Sequence, residues 1–375
     1  MKHCIVFLFT ATISVLSASL AMAELTVIDM MGRTHRLTKP AERAVITFHF
    51  EDFLAVAGPD AYDRVVGINK AAWRSWRNSQ WQAYAAAIPR LEELTDVGGV
   101  AGNPFSLEAA VALRPDVLIV PSNNFNAMAD IYERIEATGV PVIVVDYHSQ
   151  TVERHVASTL IIGQVMGTEE RARELAKIYA AEVADVEARV AAAQAAGAKI
   201  PSVYLEVGRI GPHEYGVTFG GGYMWGGMIE MAGGNNIGKE VTDRSAPISP
   251  EFLLVKDPDV IFMAGAYWLD HDESLIMGFG IDPQVTRNRL DGFLKRDGWA
   301  NLKAVKNGDI HALYLGGVRT LYDYAYLQQI AKVLYPEAFA DVDPMANLQA
   351  FYETYMPIKA EGSFMVGLSD TAGSN

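Results

Sequence analysis

Apolar and polar positions change period several times along the chain. From Leu25 to Leu37 they alternate around Met31 and Gly32, the pattern of a small hairpin with one buried face. Beyond Pro40 come short runs rich in Val and Ile, at residues 44–48 (AVITF), 64–68 (RVVGI), 116–121 (DVLIVP) and 141–146 (PVIVVD). Amphipathic stretches such as 106–113 and 127–138 separate them. Apolar strands alternating with helical segments predict crossover units and a mainly parallel sheet covered by helices. Residues 168–196 contain neither Gly nor Pro, and Leu175, Ile178, Tyr179, Val183, Val186 and Val190 mark one helical face. That helix would be about 40 Å long. Thr168 is its expected N-cap, and Gly197 and Pro201 stop it. Strand-like runs then resume at Ser202–Val207 (SVYLEV), 260–264 (VIFMA) and 309–314 (DIHALY). The pattern predicts an α/β fold of two lobes joined by one long helix, with the N-terminal lobe at 24–167, the helix at 168–197 and the C-terminal lobe at 198–375.

The two halves echo each other. Ser106, Glu108, Pro115, Asp116 and Val117 recur without a gap as Ser249, Glu251, Pro258, Asp259 and Val260. Each copy reads as a serine N-cap, a short helix, a Pro-Asp turn and a buried strand.

Composition narrows the partners. Half of the 375 residues are apolar, enough for a large core, and the balance of 31 basic against 45 acidic side chains leaves a formal charge of −14. Such a surface repels nucleic acid and anionic lipid. Residues 1–23 carry Lys2, an apolar stretch from Ile5 to Leu20, and Ala21-Met22-Ala23, the order of a signal peptide cleaved near Ala23. The single cysteine, Cys4, falls inside that leader. An exported, periplasmic, monomeric protein without disulfide or membrane insertion is expected.

The repeated Ser-x-Glu…Pro-Asp-Val module, the long helix and the stretch 223–237 (YMWGGMIEMAGGNNI) resemble the periplasmic substrate-binding proteins of iron–siderophore and vitamin B12 ABC importers. The opening from Val27 to Arg33 and the stretch from Pro40 to Ile46 are similar too. The resemblance implies two α/β lobes with a ligand cleft between them and no enzymatic activity. It also implies that Glu108 and Glu251 dock onto arginines of an inner-membrane permease served by an ATPase. As a plain alternative, each is a first-turn acid favoured by the helix dipole.

Ligands of parallel α/β sheets lie beyond the carboxyl ends of the strands. That rule selects His49, Trp73, Arg74, Tyr147, His148, Arg209, Tyr223, Trp225, Tyr267, Trp268 and Arg319 as expected cleft residues. Aromatic faces with guanidinium groups suit a planar or aryl anion. With the resemblance, this points to an iron(III)-siderophore-type chelate as transported ligand, and to no tightly bound cofactor; cobalamin and haem are alternatives. Trp73, Trp76, Trp81 and Tyr84 read equally well as a packing cluster. His49, His148 and His213 form a rival set that would coordinate a bare metal such as nickel. An exported metallohydrolase has least support, since HExxH, GxSxG and a cysteine nucleophile outside the leader are all missing.

Overall fold

The structure, a computed structural model, describes residues 24–100 and 103–368. The expected leader, its cleavage point and Cys4 lie outside the described residues. The alternation at 25–37 folds as an antiparallel hairpin, Leu25–Ile28 against Thr34–Leu37. Asp29 closes its turn by accepting the amides of Met31 and Arg33.

Each lobe is built on a five-stranded sheet. The N-terminal sheet is all parallel, in the order Thr95–Asp96, Val65–Ile68, Ala44–Ile46, Val117–Pro121, Val142–Val145. The C-terminal sheet runs Asn235–Asn236, Ser202–Val207, Val260–Gly265, Ile310–Tyr314, all parallel, and ends in the antiparallel edge strand Met365–Gly367. Every predicted strand core is present. The two-residue edge strands and Met365–Gly367 were not foreseen, because two or three residues are too few to show a period.

The sequence echo has a structural cause. Ser106 and Ser249 cap helices Leu107–Ala112 and Pro250–Lys256, each accepting an amide at 3.2 Å. The residue ahead of each proline, Arg114 or Asp257, is left-handed, with φ of 46° and 44°. Asp116 then accepts the amides of Glu42 and Arg43, just before strand Ala44–Ile46. Asp259 accepts the Ser202 amide at the start of Ser202–Val207. In both lobes the aspartate therefore pins the head of the neighbouring strand and sets its register.

The long helix is Glu169–Ala195, and its buried face includes Leu175, Tyr179, Val183, Val186 and Val190. Thr168 occupies the N-cap as expected, without a side-chain capping bond. Arg171 ties the first turns to the N-terminal lobe through the Ala55 carbonyl. Arg189 and Gln194 tie the last turns to Asp341 and Tyr335 of the C-terminal lobe. Helix Val152–Met166, absent from the prediction, packs beside it. Eight of its fifteen residues are buried, which blurs the amphipathic stripe that would have revealed it.

Candidate ligand-binding site

Strand Ala44–Ile46 ends in the centre of the N-terminal sheet, and two residues later the chain turns sharply into helix Phe50–Ala57. His49 makes that turn in a left-handed conformation, φ 57°. Two of the other left-handed non-glycine residues, Met224 (φ 46°) and Arg319 (φ 68°), face it from the C-terminal lobe. Such conformations cost on the order of 1–3 kcal/mol each and gather at functional sites. Three of them around one point mark the cleft.

The ring contacts there are close. His49 lies 5.2 Å from His148 and 4.9 Å from Tyr147, centroid to centroid. The guanidiniums of Arg319 and Arg77 sit over Phe48 at 5.0 and 5.5 Å. Arg319 Nη1 approaches His148 Nε2 at 3.4 Å. Arginine can only donate, so the contact assigns the His148 proton to Nδ1. That Nδ1, both His49 ring nitrogens and Arg319 Nε are buried without a hydrogen-bond partner. Among the described residues no carboxylate pairs with either Arg77 or Arg319.

Electrostatics follow from this crowding. Burial, then the charge of Arg319, holds His49 and His148 well below the usual imidazole range. Burial, then Arg77, pulls Arg319 down to about 9. Behind the site, burial pushes Asp52 up to about 7, against the Leu321 amide bonded to it. Phe48, His49, Arg77, Gln80, Arg319 and Thr320 surround a void of about 10 Å3, roughly what one water occupies. Little space is left between the lobes at this point.

The expected cleft residues divide into three groups. His49, His148, Tyr147, Tyr223 and Arg319 come together. Tyr147 backs His49 and bonds Thr159 through its hydroxyl at 3.0 Å. Tyr223 stacks near His148, at 6.4 Å, and carries Arg244 over its face at 4.7 Å. Arg209 and Tyr267 lie where the lobes meet at one edge: Arg209 stacks on Trp76, 5.2 Å away, and the Tyr267 carbonyl accepts the Asn78 amide.

The remaining placements correct the expectation. Trp73 is stacked on Phe50 at 4.6 Å, with Nε1 bonded to Gln80, and belongs to the N-terminal core with Trp81 and Tyr84. Trp225 and Trp268 are buried in the C-terminal lobe, Trp225 against Tyr326. Arg74 is exposed at the end of a short helix. His213 is 81% exposed, stands beside Glu273 and lines a separate surface hollow with Glu251. The three-histidine metal set therefore does not assemble. Among the described residues no cluster of three His, Cys, Asp or Glu side chains is placed to hold a metal.

Phe48, Arg244 and Gln150 join the site without a signal in the sequence, and Arg77 joins it in place of Arg74. Arg77 lay in the same run as Arg74, and only the turn at Ser75 decides which arginine faces inward. Gln150 meets helix Met224–Met231 where Gly227 allows it, since a Cβ on Gly227 would lie 2.6 Å from that of Gln150. Glu108 and Glu251 are both exposed on their equivalent helices.

Comparison with known proteins decides the family. A model described as periplasmic binding protein matches residues 45–314. The chain belongs to this family. The TroA-like periplasmic binding protein FepB of Veillonella parvula is 35% identical and superposes with a TM-score of 0.84, over 92% of this chain and 100% of that one. The molybdate-binding protein MolA of Haemophilus influenzae is 26% identical, over 94% of this chain and 98% of its own. A cobalamin-binding protein of Halobacterium salinarum is 29% identical over 53% of each chain. Membership makes the protein the substrate-binding component of an ABC importer, working with a permease and its ATPase, and not an enzyme. No helix among the described residues is long and apolar enough to cross a membrane.

Proposed function

We propose that this protein captures a compact, metal-containing anion of the oxyanion class in the periplasm, between Arg77 and Arg319 with His49 and His148 beside them. The carrying observation is Arg319, a buried guanidinium with a second guanidinium nearby and no carboxylate paired with it among the described residues. Such a charge is strongly destabilising alone and becomes favourable when an anion accepts its hydrogen bonds. Neutral imidazoles add donors without further charge. The Haemophilus relative, similar along nearly all of both chains, is named for an anion of this kind. Residues 1–23 would serve as the export leader, Glu108 and Glu251 would meet the permease, and the protein would hold no cofactor besides its cargo.

An iron(III)-siderophore-type chelate is the second reading. Two guanidinium-on-aromatic stacks favour it, Arg209 on Trp76 and Arg244 on Tyr223, which offer flat cationic faces where the lobes meet. Either cargo needs more room than the present void, and the chelate needs far more.

Calorimetric titration of the purified protein with molybdate, sulfate and a ferric hydroxamate chelate separates the two. Micromolar or tighter molybdate binding with no response to the chelate supports the oxyanion. Chelate binding alone, with a ferric charge-transfer band on the protein, replaces it by the second reading.

A further inference from the structure

The first turn of helix Phe50–Ala57 does more than present His49. Two and three residues on, Glu51 and Asp52 are buried carboxylates that reach into the opposite lobe. Asp52 Oδ1 accepts the Leu321 amide at 2.8 Å. Glu51 accepts the hydroxyls of Tyr322 at 2.5 Å and Tyr352 at 2.6 Å from the C-terminal lobe. It also accepts Tyr84 at 2.7 Å and the Gln80 amide at 2.5 Å from its own lobe. Four donors thus converge on one carboxylate. Asp323 completes the arrangement by accepting the amides of Arg319 and Thr320, at 3.1 and 3.4 Å, and Gln150 Nε2 at 2.8 Å from the N-terminal lobe. Every residue of the turn 319–322 is therefore held by a carboxylate, and residues 321 and 322 are held from across the cleft.

We propose that Glu51 and Asp52 are positioning residues that lock the 319–322 turn, and so set Arg319 opposite His49 and His148 before any ligand arrives. Arg319 has no local preference for its left-handed backbone, so something outside the residue must hold it there, and these bonds are what does. The same two carboxylates fasten the lobes to each other, and Tyr355 of the C-terminal lobe adds a bond to Glu174 of the long helix. The ligand-related part of the proposal rests on Arg319 being the anion contact.

Amide hydrogen exchange of the ligand-free full chain tests the lock, independently of any cargo. In the unmodified protein the Leu321 amide should exchange as slowly as those of strand Val260–Gly265; exchange at the rate of an exposed loop overturns the proposal. In Asp52→Ala it should speed up about tenfold, the worth of one buried hydrogen bond, while the strand amides stay unchanged. Asp52→Asn retains an acceptor oxygen and should restore slow exchange. Glu51→Gln, which turns an amide group toward four donors, should also loosen residues 319–322. Unaltered exchange in Asp52→Ala, or equal acceleration of the strands, overturns the lock. With molybdate as probe, affinity should drop about tenfold in Asp52→Ala and return in Asp52→Asn. Failure of the unmodified protein to bind molybdate counts against the oxyanion reading alone, because the exchange measurements still decide the lock.

Discussion

Arg319 carries three liabilities at once: a left-handed backbone, burial, and no carboxylate paired with its guanidinium. Each lowers the stability of the ligand-free protein, and together they mark the residue as kept for binding. Arg319→Gly should therefore raise the melting temperature of the ligand-free protein while abolishing anion binding. Arg319→Gln should weaken binding by about 1.5–3 kcal/mol, the range for a hydrogen bond to a charged group, whereas Arg74→Gln should leave it unchanged; titration calorimetry reads both. Acidity sorts the neighbouring groups. The folded chain keeps His49 and His148 unprotonated below 6.5, where the unfolded chain binds those protons, so their contribution to stability is full above 6.5 and is lost as pH falls below it. Asp52 runs the other way. Raised from 3.8 to about 7, it favours the folded chain in acid and does so less as pH rises through that window. Between pH 7 and 5 the loss of melting temperature should be steeper in Asp52→Asn and shallower in His148→Asn than in the unmodified protein. Equal slopes in calorimetric scans would contradict the assignment.

Among the elements, the helices that bear the site were the hardest to read from sequence. Strand cores announce themselves as Val/Ile runs, and the serine-capped helices repeat in sequence, so both were legible. Trp73 read two ways, as cleft or as packing, because its fate depends on Phe50, which is remote in sequence and stacks on it. Trp73→Ala should cost about 3–5 kcal/mol of stability, as for other buried aromatics, and leave the affinity of the folded fraction intact. In the glycine-rich stretch at 220–227, Gly220, Gly221, Gly226 and Gly227 allow close approach, and Gly222 supplies a left-handed turn. Gly227→Val would drive helix Met224–Met231 away from Gln150. Weaker anion binding with little change in melting temperature is the expected outcome, measured by titration and by thermal unfolding of the same sample.

For the whole molecule, a 27-residue helix fastened to both lobes, together with the Glu51 and Asp52 bonds across the cleft, leaves little freedom for a wide hinge. Scattering profiles with and without ligand should differ by a few degrees of lobe rotation; a change of tens of degrees would refute a rigid frame. Charge reversal at Glu108 and Glu251 should abolish uptake through the permease in whole cells and leave ligand affinity unaltered. The two exposed acids belong to equivalent helices, and neither lines the anion site.

By itself the sequence determined the α/β class, the long helix, the paired modules and the family resemblance. All of these follow from local periodicity and from residues near one another in the chain. It also brought out His49, His148, Tyr223 and Arg319, because strand ends are visible in a pattern of apolar runs. Only the tertiary structure decided which arginine turns inward, which tryptophans fill the core, and that Glu51 and Asp52 reach across to residues 321, 322 and 352. Those outcomes depend on how two lobes meet. A contact between residues some 270 positions apart is set by the packing of whole sheets and helices, which no local pattern encodes.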